Sequence, residues 1–269
     1  MPRRIALLGA TGQTGQAVLN DLLTRNIDID INIYVRSKSK LIDQFPNLDS
    51  CPNAHVFAGD ISDTVLIQKL LTNVDTIIFT LGWNENRPGP TIIEDGARAI
   101  IKALRGLKTN TNEDKKQAPP RLIFLSSMTW NERLHDKTPP LGIRMIRLAF
   151  YWPYQDLLAG QRILLAESEL VKVTLIQPPA LIEEEASGYD ISVDKVGAGC
   201  SYPDLGVSMV EVALEQRYEG VPAVMVTSKA GYDGARYAGV ILPKVVVGLA
   251  ASLVPGFWLM HDLVARLWS

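Results

Sequence analysis

Cysteine and histidine are scarce in this chain, and their scarcity removes several chemistries at once. Cys51 and Cys200 are the only cysteines in 269 residues. They stand far apart without metal-ligand neighbours, so neither a disulfide framework nor a zinc site is expected. His55, His135 and His261 have no metal-ligand spacing either. An excess of charge is missing too: the formal net charge is −2 and the pI about 6.0, which leaves no basic stripe for nucleic acid. No apolar run reaches the ~20 residues of a spanning helix. Arg3 and Arg4 precede an apolar run, but it stops at Gly9, too soon for the core of a secretion signal. With so few cysteines, a reducing, cytoplasmic setting is expected. There are no internal repeats and no low-complexity tract.

What is present is a chain with 47% hydrophobic residues, long enough to bury one sizeable α/β core. Its organising stretch is MPRRIALLGATGQTGQ at the start. Ile5–Leu8 reads as a buried parallel strand. Gly9, Gly12 and Gly15 follow at three-residue spacing, and an apolar helical stripe begins at Gln16. A strand, a glycine turn and a helix in that order form a phosphate-binding unit. Glycine lets the backbone turn tightly and approach a pyrophosphate, while the helix N-terminus offers unpaired N–H groups and a favourable dipole. The expected cofactor contacts here are Gly9, Thr11, Gly12, Gln13, Thr14 and Gly15. The alternative is a turn shaped for packing alone.

The G-x-x-G-x-x-G spacing at a chain start resembles the atypical and extended short-chain dehydrogenase/reductases, including NmrA-like and biliverdin-reductase-B-like NAD(P)-binding proteins. The resemblance runs over about residues 3 to 228. It implies a Rossmann-like doubly wound parallel sheet forming a single domain over 1–269, with a small substrate region at 181–238 and an apolar helical extension at 239–269.

Later segments extend the cofactor reading. Ile29–Val35 reads as strand two, and Arg36, Ser37 and Lys38 follow it, with Lys40 near. An acid at this place accepts the ribose 2′-hydroxyl of NAD, whereas a cation accommodates the 2′-phosphate of NADP. The cation favours NADP, and a solvated basic loop is the plain alternative. A third strand, His55–Ala58, leads to Asp60 and Ile61. The resemblance sets Asp60 beside the adenine, although it could equally cap the next helix. Strand four, Asp75–Leu81, should deliver Thr80, Leu81 and Gly82 to the crevice beyond the strand ends. Helix Ile92–Leu107 and a charged surface loop come before strand Arg121–Ser127. A strand at Val173–Gln177 then runs into Pro178 and Pro179, which the resemblance sets beside the nicotinamide.

For chemistry, the resemblance assigns the catalytic serine to Ser127, with Ser126 beside it and Thr129 two places on. The Tyr-x-x-x-Lys pair of hydride-transferring members is absent, since Gln155 stands four residues after Tyr151 and Leu158 four after Tyr154. Tyr154 is the preferred proton donor, Tyr151 the alternative. Gln161 stands where an acid is common, and Arg162 is the only cation expected nearby. Trp83, Met128, Trp130, Tyr151, Trp152 and Tyr154 suggest a broad aromatic pocket, though ordinary core packing would explain any one of them. Glu183, Glu184 and Glu185 read as a solvated acidic run. These observations together suggest an NADP(H)-dependent oxidoreductase acting on a small aromatic or polycyclic carbonyl or quinone-like compound, in keeping with secondary metabolism. A non-redox isomerase, epimerase or cyclase and a dinucleotide sensor like NmrA are the alternatives. Val245–Met260 carries no charge, and Pro255–Gly256 interrupts it. It suits an interfacial helix pair giving peripheral membrane contact, a lid over the site, or a dimer surface.

Overall fold

The computed structural model describes residues 3–110, 118–131, 140–230 and 234–267. The middle of the charged loop before strand five and His135 therefore lie outside the described residues.

Strands with apolar runs, the pattern of a sheet buried on both faces, build the centre: β1 (Arg3–Leu8), β4 (Thr76–Phe79), β5 (Arg121–Leu125) and β6 (Lys172–Ile176). β2 (Ile29–Val35), where Asp30 and Asn32 alternate with apolar residues, and the half-exposed edge strand β3 (Ala54–Ala58) extend it. β10 (Ala223–Ser228) lies beyond β6, and β8 (Tyr189–Ser192) closes that edge. The order is β3-β2-β1-β4-β5-β6-β10-β8, parallel except for the antiparallel β8–β10 pair. The strand order reverses between β1 and β4, which opens the crevice where ligands bind in doubly wound sheets. A separate two-stranded ladder joins β7 (Ala180–Ile182), directly after the two prolines, to β9 (Gly199–Ser201).

Helices cover both faces. On one side α1 (Gln13–Thr24) and α7 (Tyr202–Leu214) pack Val18, Leu19, Leu205 and Met209 against the sheet. On the other, α3 (Thr64–Leu71), α4 (Ile92–Asn110) and α6 (Tyr151–Leu165) supply Ile67, Leu70, Ile100 and Leu157. Three further helices sit outside these layers: α2 (Lys38–Gln44), α5 (Pro140–Ala149) and α8 (Gly234–Leu253). A last helix, α9 (Phe257–Leu267), turns back after Pro255–Gly256.

Several boundaries differ from the sequence reading. α1 starts at Gln13 rather than Gln16, because Thr14 and Gly15 are themselves buried in its first turn. Lys38 opens α2 instead of lying in a loop, since the Ser37 hydroxyl accepts from Lys40 N and caps it. Thr80, Leu81, Ser126 and Ser127 lie just past the ends of β4 and β5 rather than within them. Asp60 does not cap α3: the Asp63 carboxylate does, accepting from Val65 N and Leu66 N at 3.0 Å each.

Candidate active site and cofactor cleft

At the carboxyl end of β1 the three glycines do different work. Gly9 has φ +100°, and a Cβ there would lie 2.6–2.8 Å from Thr80. Gly15 has no room either, since its Cβ would sit 2.0 Å from the Gly9 carbonyl oxygen. Packing alone demands both. Gly12 is different: its φ of −85° suits any L-residue, and an added Cβ would meet only the Gly9 oxygen, at an ordinary 3.5 Å. The fold leaves the face of Gly12 open, as close approach of a ligand backbone or phosphate requires. No side chain caps the α1 N-terminus and no acid stands in its first turn, so its N–H groups and dipole face the cleft uncompensated. The residues present thus fit a dinucleotide pyrophosphate. Gln16 and Gln44 both donate to the Thr11 carbonyl, at 3.2 and 3.4 Å, and fix the turn.

Thr80 holds the neighbouring strand end, its hydroxyl and amide both donating to Leu8 O at 2.9 Å. Leu81 and exposed Gly82 follow into the crevice, and nothing lies within 4 Å of where a Gly82 Cβ would be. Arg36 and Ser37 are exposed at the end of β2, alongside exposed Asp60 and half-buried Ile61 past β3. The Ser62 hydroxyl and amide, with Arg36 nearby, hold the Asp60 carboxyl below its ordinary value. Burial first, then Asp60, pushes the Tyr34 hydroxyl up to about 12. Its O–H donates to Gly59 O at 3.1 Å, which ties the two strand ends together. Lys38 forms an ion pair with Asp49 at 3.1 Å, both largely exposed.

Past β5, three hydroxyls converge. Ser127 Oγ lies 3.1 Å from Thr129 Oγ1, and Tyr154 Oη lies 3.4 Å from the former and 3.1 Å from the latter. The Tyr154 ring is held edge-on by Trp130, with centroids 5.7 Å apart. Ser126 donates to Gln161 Oε1 at 2.9 Å, and its amide to Ile176 O. Buried Pro178 accepts from Met128 N at 3.1 Å and Pro179 is buried beside it, so the β6 turn packs directly against this cluster.

The two tyrosines part company. Tyr154 joins the hydroxyl cluster, whereas Tyr151 is 41% exposed with its ring edge-on to Trp152. The six aromatic and Met positions therefore do not form one wall: Met128, Trp130 and Tyr154 gather at the hydroxyls, while Trp83, Tyr151 and Trp152 are exposed. Arg162 also points outward. The cation near the cluster is Arg147 of α5, which donates twice to Thr129 O, at 2.9 and 3.3 Å, and lies 4.1 Å above the Trp130 ring. Glu183 sits on the other flank of the cleft, accepting from Gln13 at 3.0 Å beside a groove of about 700 Å3 that Glu184 and Glu185 also line.

Residues 9–216 match the family model described as NAD(P)H-binding. This chain belongs to that family. Oxidoreductase ordB of Dothistroma septosporum is 33% identical over 251 residues, 93% of this chain and 91% of that protein. Averufin oxidase A of Aspergillus flavus is 32% identical over 257 residues, 92% and 90% of the two chains. Among solved structures, a wide-type short-chain dehydrogenase/reductase from Veillonella parvula in complex with NADP superposes with a TM-score of 0.59. It covers 87% of this chain and 98% of its own at 17% identity, a likeness of fold. The resemblance carried by the glycine turn is thus shown, and the chain is an NAD(P)-binding oxidoreductase of Rossmann fold.

Within this NAD(P)H-binding frame, two buried polar anchors escaped sequence reasoning. Asp156 of α6 accepts from Ile93 N at 2.9 Å and Glu94 N at 2.8 Å, capping α4 from another helix. Burial raises its carboxyl above the ordinary value, and the two amides pull it back. Asn86, in the segment after β4, donates to Gly248 O at 2.7 Å and Ser252 Oγ at 2.8 Å, and accepts from Trp152 N at 2.9 Å. It fastens the C-terminal helices to the body. The helical spacing of Arg144 and Arg147 in LGIRMIRLAF was the available signal for α5 and its arginine; neither anchor had one.

Proposed function

We propose that this oxidoreductase uses NADP(H) to reduce or oxidise an aromatic or polycyclic carbonyl or quinone-like compound, in a secondary-metabolic pathway. The observation that carries the reading is the convergence of Ser127, Thr129 and Tyr154 past the β5 end, on the same side of the sheet ends as the open face of Gly12. A nicotinamide, when bound, would give a hydride to the carbonyl carbon, or take one from the corresponding alcohol or hydroquinone in the reverse direction. The Ser127 and Thr129 hydroxyls orient the substrate oxygen, and Tyr154 Oη gives or takes its proton. No lysine follows Tyr154 at the fourth place, so the tyrosine is positioned by its two hydroxyl neighbours and the Trp130 edge. Arg147 stiffens the turn that carries Thr129 and brings a positive charge to that side of the cluster. Arg36 and Ser37 receive the 2′-phosphate, and Asp60 with Ile61 the adenine side. The name of averufin oxidase A and the NADP of the Veillonella protein support, respectively, a redox step and the phosphorylated cofactor.

Arg36→Asp tests the cofactor. NADPH affinity, read by calorimetry, should fall at least ~10-fold while NADH binding holds or improves, since a lost charge-assisted phosphate contact is worth about 1.5–3 kcal/mol. An unchanged NADPH preference would sink the assignment. Tyr154→Phe, assayed with a panel of quinones and polycyclic ketones, should lower kcat by about 10²–10⁴ with cofactor affinity intact. Full turnover in that variant would remove Tyr154 from the mechanism.

A further inference from the structure

The last helix is built inside out. In α9 the side chains at 259, 260, 263 and 264 fall on one helical face and are all large and apolar, yet they are exposed: Leu259 by 69%, Val264 by 55%. The opposite face carries the polar anchors. Asp262 pairs with Arg87 at 2.6 Å, Arg87 lies 4.5 Å over the Trp258 ring, and Trp258 Nε1 donates to Asn86 O at 2.9 Å. A surface helix of a globular protein shows the reverse arrangement. α8 and α5 continue the pattern, with Val246 and Leu253 exposed on α8 and Leu141 on α5. Twelve of the nineteen exposed large apolar side chains among the described residues lie on these three helices and the α8–α9 joint, far beyond the scatter of single apolar residues that any surface carries.

Charge says what covers this face. The three helices hold five Arg and Lys against one acid, Asp262. The whole chain has 27 cations and 29 anions, so everything outside the three helices has 22 against 28. An apolar, cationic face is thus set on an acidic body, and Arg144, Lys244 and Arg266 are exposed among the apolar side chains. A second copy of the same face would bring Arg144, Lys244 and Arg266 against their own counterparts in a two-fold contact. An anionic lipid surface complements both properties. No single helix among the described residues is long and apolar enough to cross a membrane; the α8 segment Leu242–Leu253 and α9 reach that length and composition only together, across a 119° bend that breaks any straight span.

We propose that the α5–α8–α9 face docks onto an anionic membrane surface, the α9 stripe entering the headgroup–acyl boundary in the manner of interfacial helices with Arg144, Lys244 and Arg266 at the phosphates. The test is co-sedimentation of the full chain with phosphatidylcholine vesicles, alone and mixed with phosphatidylserine. The expected result is binding to the mixed vesicles, weaker binding to the neutral ones, and loss with added salt, because the charge component is screened. The double variant Leu259→Glu/Leu263→Glu should reduce the bound fraction at least ~10-fold, as burying carboxylates in the boundary is costly. Its circular dichroism and thermal denaturation midpoint should remain unchanged, which separates failure to dock from failure to fold. Protein that stays in the supernatant with phosphatidylserine vesicles overturns the proposal, as does undiminished binding by the double variant. A concentration-dependent dimer in light scattering that the double variant dissolves, without vesicle binding, overturns it in favour of a second copy. The cofactor and substrate assignments play no part in this test.

Discussion

The glycine turn and the C-terminal helices treat polarity in opposite ways. At the turn, the apolar runs of β1 and β4 are buried and the polar backbone is what faces out, at Gly12 and the first turn of α1. At the C-terminal helices Asn86 and the Trp258 ring nitrogen are turned in, Asp262 pairs with Arg87, and Leu259 and Leu263 of α9 face out. Each region exposes what its partner must match. A backbone donor surface suits phosphate, and an apolar surface with cations suits something greasy and anionic. Each surface departs from the local rule in what it exposes, polar backbone in one case and apolar side chains in the other, and the two proposed ligands follow from those departures.

The sharpest way to break the first half of that comparison separates glycines that packing needs from the one that it does not. Gly15→Val should do the greatest damage to the fold. Its Cβ would stand 2.0 Å from one backbone atom and 2.6 Å from another, neither of which can move without dismantling the turn. A loss of about 3 kcal/mol or more is expected, read as a fall in denaturation midpoint. Gly12→Val should cost only ~1 kcal/mol for a poor helix cap yet abolish NADP(H) binding. If Gly12→Val bound NADPH normally, the open face would not be the phosphate site. If Gly15→Val were as stable as Gly12→Val, the structural division between them would be wrong.

The second half breaks at Asn86. Asn86→Ala leaves the Trp152 amide without its acceptor and takes one donor each from Gly248 O and Ser252 Oγ, in a site where Asn86 is 5% exposed, while Leu148 O keeps the Ser252 hydroxyl. Leaving buried groups unpaired costs about 1–3 kcal/mol, and the loss should be local. Amide hydrogen exchange in 242–267 should speed up while the glycine turn keeps its protection. Uniform acceleration across the chain would mean that the helices are not a separately held layer.

How much of the fold and site is legible in the sequence follows from the range of the contacts. β1, β4, β5 and β6 are readable because parallel strands buried on both faces leave apolar runs, β2 because its apolar residues alternate, and the glycine turn because its parts are adjacent in sequence. Asn86 contacts Gly248, and Arg147 of α5 contacts Thr129 past β5. Such pairs leave no periodic trace. Arg162 shares a helix with Tyr154, but α6 turns it outward while α5 brings Arg147 in. The tail's apolar run is visible in the sequence, whereas the inversion of α9 needs the direction of each side chain.

The smallest expected effect tests how local the 2′-phosphate reading is. Lys38 and Arg36 are two residues apart and both exposed, so a merely basic loop would let either serve. Lys38, however, already faces Asp49 from the first turn of α2. An exposed pair of this kind is worth about 0–1 kcal/mol. Lys38→Ala should therefore leave the denaturation midpoint nearly unmoved and weaken NADPH binding only ~2–3-fold, a general loss of positive potential that salt erases. The contrast with Arg36→Asp is decisive. A specific phosphate contact predicts a large loss at Arg36, insensitive to moderate salt, beside a small and salt-sensitive loss at Lys38. Equal losses at both positions, vanishing together as salt rises, would mean that the loop attracts the cofactor by its charge and that no single residue reads the phosphate.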